Sequence, residues 1–319
     1  MFILILFALS NAAQLKLEPI SAANFLGNGF DYKTGTYSLA PCFSFTYNSG
    51  ATWTTPYSQT TYKVPDQMFV HSLDETFEAD TQSITESYTE FYDTFVRRFT
   101  FNVGIDIRAV GIGFSYDKQT GFVREMITQN FAEFIHGTHF WAYNIASLYP
   151  AYLLNLHPML VLGISKFPRV ILTQPDIVAA TEFTQTWGQF FVYRSAFGAQ
   201  LDFNVALSKT LIEKYDKEWT EVQAGLSFHY YLFNVSAGGF QNQSDIHINK
   251  EFLAQSKANT TFYGGDPTLA KLDKLDVWVD SIDQNLFPLN STFVPIWTLV
   301  SDIIKQQSMK NFMISYLKN

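Results

Sequence analysis

The amino-acid sequence predicts a single domain of the α+β class. Residues 97–116 alternate between two faces with the period of a β-strand, and residues 188–203 are strand-like material flanked by glycine. Residues 173–187 and 301–317 have the start signals and apolar spacing of helices. No internal repeat, low-complexity run or linker divides the 319 residues, so one domain is the simplest interpretation.

The first residues have the size and order of a secretory signal peptide. An apolar run from Phe2 to Leu9 is followed by small residues up to Ala13, and this run is too short to span a bilayer as a helix. We therefore predict a signal peptide at 1–13, a domain at 14–319, and a secreted or secretory-vesicle protein. A buried N-terminal strand is the alternative.

Two further features bear on an exported protein. Cys42 is the single cysteine, so no internal disulfide can form and stability must come from packing. Four N-x-S/T sequons are candidate glycosylation sites in the secretory compartment. They lie at Asn234, Asn242, Asn259 and Asn290.

The composition excludes some partners. Hydrophobic residues make up 47% of the chain, whereas charged residues make up only 16%, below the roughly 25% of ordinary soluble domains. The 21 basic and 29 acidic residues give a net charge of −8, which repels phosphate backbones. Nucleic acid is therefore not predicted as a partner.

The N-terminal half reads mainly as strands. Residues 25–37 predict strand, tight turn and strand, because glycines supply the backbone freedom of the turn. Strand-like aromatic alternation continues through residues 42–53, and residues 97–116 predict a long strand. The Ser/Thr/Glu-rich residues 73–95 favour no one structure.

The second half mixes helices with strands. A helical piece is predicted around residues 123–131, and the apolar tract at 148–164 is broken by prolines, so it is not a membrane span. A helix is predicted over 173–187, since Pro175 and Asp176 stand at its start.

The stretch "HGTHF" at residues 136–140 raises the possibility of a metal site. His136 and His139 would share one face of a helix, but Gly137 and Thr138 are poor helix formers and no H-E-x-x-H arrangement is present. We predict no metal and no cofactor.

Catalytic motifs are also missing from the sequence. It has no nucleophile elbow and no P-loop, and its recurring carboxylates are typical of a solvated helix face. These carboxylates are Asp273, Asp276, Asp280 and Asp283. An enzyme is not predicted.

One stretch alternates strictly over eleven residues. Between Val222 and Leu232 every second side chain is apolar, which matches the roughly 9–11 residues of a tilted transmembrane β-strand. The membrane-facing candidates are Val222, Ala224, Leu226, Phe228, Tyr230 and Leu232. A turn-rich segment and a weaker alternation at 246–249 follow, so a hairpin is possible. A half-buried strand of a soluble sheet has the same pattern and stays open as the alternative.

The segment "WGQFFVYRSAFGAQ" at 187–200 resembles the signature of the membrane attack complex/perforin family, an aromatic residue, Gly, Thr, His and an aromatic residue with a Gly-Gly pair about eight positions on. The matching positions are Trp187, Gly188, Phe191 and Gly198. Gln189 and Phe190 replace Thr-His, and Ala199 replaces the second glycine. HGTHF has better letters, but no glycine follows at the right spacing. It is interpreted as a coincidence inside the first helical cluster.

Other motifs carry the resemblance from residue 25 to 317. "LGNGFD" resembles the family's N-terminal opening, and "YGGDP" with "VWVDSI" and "VPIWTLV" resembles its C-terminal run. The resemblance implies a bent, twisted four-stranded antiparallel sheet flanked by two helical clusters, here placed at about 118–170 and 205–255. The glycines Gly188, Gly198, Gly264 and Gly265 are candidate hinges, because a hinge needs the same backbone freedom as a turn, and ordinary turn conformation is the alternative.

The family's function is then the expected one. The resemblance implies a secreted pore-forming protein that forms a homo-oligomeric ring or arc on the lipid of a target membrane. There, the helical clusters refold into amphipathic β-hairpins. The alternative is a non-lytic family member that acts in adhesion or signalling, favoured by the altered signature.

Overall fold

The structure is a computed structural model. It describes most of the chain after residue 16, in eight segments. These are residues 17–56, 58–78, 81–85, 100–101, 117–129, 131–214, 256–271 and 275–318.

The described residues form a sheet-centred α+β fold. The strands are β1 (Asn28–Asp31), β2 (Thr36–Pro41), β3 (Thr52–Thr54), β4 (Thr61–Lys63), β5 (Met68–Glu78), β6 (Thr81–Thr85), β7 (Thr100–Phe101), β8 (Phe131–Leu148), β9 (Phe190–Ser208), β10 (Ser256–Tyr263) and β11 (Phe287–Pro295). The α-helices are α1 (Asp117–Thr128), α2 (Pro158–Lys166), α3 (Gln174–Trp187), α4 (Lys209–Lys214), α5 (Leu275–Asp280) and α6 (Ile303–Lys318). Short 3-10 helices lie at Ser21–Asn24, Ala151–Leu153, Ile282–Gln284 and Ile296–Leu299.

Two long antiparallel strands, β8 and β9, form the centre of the main sheet. Strands β5 and β6 pair with β8 on one side, and β10 pairs with the far half of β9 on the other. Because β5 and β6 lie end to end along β8, they share one position, and with β8, β9 and β10 they form the predicted four-stranded antiparallel arrangement. The described sheet is larger, with nine strands, because β1, β2, β7 and β11 extend it beside the first half of β9. A separate two-stranded sheet pairs β3 with β4.

The two faces of this sheet are covered differently. One face carries the main core, which includes Phe197, Phe203 and Trp278 and continues into α2, α3 and α6. On the other face, Phe134 and Ala206 pack against α1 in a smaller cluster. Both faces of β8 and β9 are therefore covered.

Several predicted elements have clear local causes. Helix α3 begins after Thr173, whose hydroxyl accepts from the backbone N–H of Asp176 while the Asp176 carboxylate accepts from the N–H of Thr173. Pro175 occupies the first turn, where its missing N–H costs nothing. The strand-turn-strand prediction for 25–37 is confirmed by β1 and β2, and the C-terminal helix by α6.

Other predictions about local structure are wrong. Residues 44–50 contain no strand, because the loop is held by the Asp66 carboxylate, which accepts from the backbone N–H groups of Asn48 and Ser49. Asp283 does not lie on a solvated helix face; it is buried and accepts from the N–H of Ser58.

The placement of the first helical cluster at 118–170 is also wrong over much of its length. Residues 131–148 are strand β8, and only α1, α2 and one 3-10 helix within that range are helical. Both faces of β8 are covered, so it lacks the alternation that marks a half-buried strand. In the second cluster, residues 205–208 belong to β9 and 209–214 form α4. Residues 215–255 lie outside the described part, as does most of the strand predicted at 97–116.

None of the helices in the described segments is long and apolar enough to cross a membrane.

Candidate functional site: the bend of the central sheet

The "LGNGFD" opening and the signature at 187–200 meet where helix α3 passes into strand β9. Gly188 links α3 to β9 with φ of +74° and ψ of −167°, a conformation open essentially to glycine alone. A Cβ at Gly188 would overlap the carbonyl group of Phe30, and a Cβ at Gly29 would overlap the carbonyl group of Trp187. The "LGNGFD" opening and the signature are therefore packed backbone against backbone.

Gln189 joins the same two motifs through its side chain. Its amide oxygen accepts from the backbone N–H of Tyr32 at 2.8 Å, and its amide nitrogen donates to the Asp31 carboxylate at 3.0 Å. The side chain is fully buried. Position 189, where the chain departs from the family signature, therefore holds a glutamine that bonds the signature to the "LGNGFD" opening. The sequence did not reveal this structural role.

Trp187 holds the end of α3 against α2. Its ring stacks on Phe183 with ring centroids 4.9 Å apart. A Cβ at Gly163 of α2 would lie 2.7 Å from the Trp187 ring, so the two helices approach closely there. Phe191, the last aromatic residue of the signature, is buried and packs edge-on against Phe43.

Gly198 lies further along β9, about 23 Å beyond Phe191 at the usual rise per residue. It pairs with Ala142, and a Cβ there would overlap the Trp141 carbonyl group. Next to this contact, Tyr143 is an extra residue in β8, because Ala142 and Asn144 pair with the adjacent residues Gly198 and Phe197. Such a bulge bends the strand and increases its twist.

The irregularity crosses neighbouring strands at the same level. In β5, Ser72 pairs with Asn144, but the residues after Ser72 do not continue the ladder. Regular pairing resumes only at Phe77, which pairs with Ala142. In β11, the register shifts between Leu289 and Thr292. The bend is therefore built into several strands at once.

Gly264 and Gly265 are brought to this bend from the C-terminal motif. Both have positive φ, +81° and +62°. A Cβ at Gly264 would lie 2.8 Å from the Gly198 carbonyl oxygen, and one at Gly265 would lie 2.6 Å from Nε1 of Trp278. The Trp278 indole donates to the Gly264 carbonyl at 3.1 Å. The structure thus groups Gly198, Gly264 and Gly265 at the bend and Trp187, Gly188 and Phe191 at the start of β9.

HGTHF lies in strand β8, not in a helical cluster. Because side chains alternate across a strand, His136 and His139 lie on opposite faces and cannot share a metal ion. His139 contacts the Trp141 ring at 4.3 Å between centroids. Among the described residues, no three His, Cys, Asp or Glu side chains are grouped so that they could hold a metal.

His136 belongs to a buried polar network that sequence analysis missed. Its Nδ1 lies 2.6 Å from Oδ1 of Asn204, and its Nε2 lies 2.9 Å from the Thr138 hydroxyl. Thr138 donates to the Asp202 carboxylate at 2.9 Å, and the Gln200 amide donates to the same oxygen at 2.8 Å. The network joins β8 to β9 on the face that α1 covers nearer the strand ends.

We expect His136→Ala to lower the free energy of unfolding by about 2 kcal/mol, since it removes the buried partner of the Asn204 amide oxygen and one of the two partners of the Thr138 hydroxyl. The exposed His71 is the matched control, and His71→Ala should change stability by less than about 0.5 kcal/mol. Urea unfolding and zinc analysis of the same samples provide the measurement. Stoichiometric zinc that is lost with His136→Ala would contradict this assignment.

The alternating segment and the sequons are only partly within the described residues. Val222–Leu232, Asn234 and Asn242 lie outside them. Asn259 is half-buried in β10, opposite Asn204. Asn290 is exposed at the bulge of β11 with φ of +46°. The role of each sequon stays a prediction.

Known proteins show where the chain belongs. The model of the MAC/Perforin domain matches residues 16–319.

The chain belongs to the MAC/Perforin domain family. The resemblance noted in the sequence is thereby confirmed. The 67 kDa subunit of perivitellin-2 from Pomacea canaliculata is 24% identical to this MAC/Perforin domain over 260 residues, which is 80% of this chain and 43% of that subunit. The corresponding subunit from Pomacea maculata is 23% identical with the same coverage. The chain spans less than half the length of these curated relatives.

Solved structures confirm the fold of this MAC/Perforin domain. GNIP1Aa from Chromobacterium piscinae has a TM-score of 0.66 at 17% identity, covering 95% of this chain and 56% of that one. A putative cell invasion protein with a MAC/Perforin domain from Bacteroides thetaiotaomicron has a TM-score of 0.52 at 9% identity, covering 92% and 60%. At such identities the likeness establishes the fold alone. The hinge roles of the glycines in this domain stay predictions.

Proposed function

We propose that the protein is a secreted pore former that assembles as a homo-oligomeric ring or arc on a target membrane and inserts β-hairpins. One observation carries the proposal: both long interruptions of the central sheet leave from the same end. Thr85 of β6 pairs with Phe134, Phe131 pairs with Ser208, and Leu207 pairs with Ser256. Residues 86–130, which include β7 and α1, connect β6 to β8, and residues 209–255, which begin with α4, connect β9 to β10.

This arrangement suits hairpin insertion because each interruption joins two strands that pair antiparallel with each other, β6 with β8 and β9 with β10. A hairpin made from 209–255 would continue the β9–β10 ladder in its existing register. The alternating segment Val222–Leu232 lies within this interruption and has the length of a transmembrane strand. Such a segment must satisfy two structures, so conflicting local signals are expected in it.

The edges of the sheet support assembly into a ring. At the end that carries the interruptions, β6 and β10 are the outermost strands of the described sheet. Exposed strand edges can pair with another chain through backbone hydrogen bonds. We propose that the β10 edge of one subunit pairs with the β5–β6 edge of the next. Lipid is then the membrane partner, and no cofactor is required.

Release of a trapped dye from liposomes, with electron microscopy of the same sample, tests this proposal. We expect dye release that rises with protein concentration, together with rings or arcs on the vesicles. Folded protein that binds vesicles of several compositions but releases no dye and forms no oligomers would contradict it.

We expect Asn234 and Asn242 to carry no glycan in active protein. They follow the alternating segment at the tip of the proposed hairpin. A glycosylated tip could not cross the hydrocarbon, where even one unpaired polar group costs several kcal/mol. Mass spectrometry of glycopeptides from a lytic sample provides the measurement, and Asn290 on the described surface is the internal comparison. Full occupancy at Asn242 in that sample would contradict the hairpin assignment.

A second candidate function is favoured by an exposed apolar layer at the opposite end of the sheet. It is built by the 3-10 helix after β8, by α2, by α3 with the loop before it, and by the start of α6. Its exposed apolar side chains are Tyr152, Leu153, Met159, Val161, Leu162, Val170, Leu172, Ile177, Val178, Ile303 and Ile304. Contiguous exposed apolar surface marks an interaction site. A non-lytic protein that binds another protein through this layer is the alternative we propose.

Two substitutions separate these functions. Leu172→Ser with Ile303→Ser reduces the apolar surface of the layer without touching the sheet interruptions. A pore former should keep its dye release in this double variant. If the protein is a non-lytic adhesion protein, the wild type should release no dye, and binding to cells should fall in the double variant.

A further inference from the structure

Asn144 has a buried side chain that makes no hydrogen bond to the part of the chain that the structure describes. It is fully buried in β8, and neither its amide oxygen nor its amide nitrogen has a partner among the described residues. The polar side chains further along the same strand differ, because His136 and Thr138 are bonded to Asn204 and Asp202. An unsatisfied buried amide is unusual in folded proteins and is unfavourable.

The surroundings of Asn144 explain why its amide stays unsatisfied. Opposite it lie Phe197 of β9 and Ser72 of β5. Phe197 is fully buried and apolar, and the Ser72 hydroxyl, which accepts from Nε1 of Trp53 at 2.9 Å, makes no bond to the Asn144 amide. Two residues along the same face, Ala146 is fully buried in the main core. The amide therefore faces the apolar core.

Asn144 also lies at the bend itself. It is the first residue after the bulge at Tyr143, one pair beyond the contact of Gly198 with Ala142. Any opening of the core beside the bend would admit water to the amide, which would then gain the hydrogen bonds it lacks when closed. An apolar side chain would instead lose burial on opening.

We infer that Asn144 destabilises the closed state of the bend, in which the core beside it excludes water, and so speeds its opening. The inference rests on the proposed pore-forming function for its biological role. Its physical content, the opening of the bend, is a property of the soluble protein. Asn144 acts because its side chain is less stable in the closed bend than in the open one, and only such a difference in free energy shifts an equilibrium.

Asn144→Leu tests this inference, since leucine has a similar shape and no polar group. We expect the Tm of the soluble protein to rise by several degrees. Hydrogen exchange of the backbone amides in residues 140–148 should slow by about tenfold, and dye release should slow by a similar factor. Asn144→Ala removes the amide without adding bulk and should also slow hydrogen exchange in residues 140–148.

Asn204→Leu is the matched control. Asn204 is equally buried in the same sheet, and its amide nitrogen also has no partner among the described residues, but its amide oxygen is bonded to His136. We expect this variant to lower the Tm, because it leaves His136 without that partner.

Three outcomes would overturn the inference. One is a lower Tm with faster exchange in both Asn144 variants, as expected if a buried water satisfies the amide. The second is exchange at 140–148 that matches wild type. The third is slower exchange with an unchanged rate of dye release. Wild-type protein that releases no dye would contradict the proposed function alone, because hydrogen exchange still measures the opening of the bend.

Discussion

Replacement of Gly188 by alanine is expected to lower the free energy of unfolding by about 3 kcal/mol or more. Two effects add: a side chain in this positive-φ conformation costs about 1–2 kcal/mol, and forcing an extra methyl group into a packed region costs about 1–3 kcal/mol. The methyl group would overlap the carbonyl group of Phe30, so β1 would have to move away from the signature. Because domains are only marginally stable, a large drop in soluble yield should follow.

Gly50 provides the matched control for this prediction. Its φ of +69° resembles that of Gly188, but a Cβ there would meet no atom within 4 Å. Gly50→Ala should therefore show only the conformational cost, about 1–2 kcal/mol. The measurement is the Tm and urea midpoint of both variants beside wild type. Equal losses in the two variants would mean that the contact with Phe30 does not hold the signature in place.

Leu226→Arg and Ser227→Arg should differ by more than about 30-fold in dye release. In the proposed hairpin, Leu226 faces lipid and Ser227 faces water, although the two residues are neighbours. An arginine on the lipid face costs about 2–4 kcal/mol at the bilayer midplane, whereas one on the water face is tolerated. The lytic activity of Leu226→Arg should therefore be nearly lost, and that of Ser227→Arg should be close to wild type.

The same two variants must be compared as soluble proteins. Circular dichroism and the Tm of each establish that any loss of dye release arises at the membrane. Equal activity of two folded variants would contradict the assignment of alternate faces, and so would a greater loss in Ser227→Arg.

Local signals in the sequence were sufficient for some elements. Thr173, Pro175 and Asp176 mark the start of α3 through contacts within one turn, and the glycine-rich turn fixes β1 and β2 in the same way. The ordered motifs also identified the fold family, since glycines such as Gly188 are required where two backbones touch.

Other features depend on contacts between residues far apart in sequence. The prediction that residues 131–148 belong to a helical cluster is wrong because both faces of β8 are covered, which removes the alternation that marks a strand. The bulge at Tyr143 and the network around His136 exist only through pairing with β9. A Gln at position 189 in place of the family residue gave no hint that it would bridge Asp31 and Tyr32.

A cysteine scan of Val222–Leu232 tests the central proposal most directly. Single cysteines labelled with a polarity-sensitive fluorophore are placed in a Cys42→Ala background. Wild type provides a blank, since burial raises the pKa of the Cys42 thiol and protects it from labelling.

After assembly on liposomes, labels at positions 222, 224, 226, 228, 230 and 232 should report lipid, and labels at the positions between them should report water. In the soluble protein the burial pattern should lack this period of two. A profile with the same periodicity before and after membrane addition would contradict insertion of this segment and favour the non-lytic function.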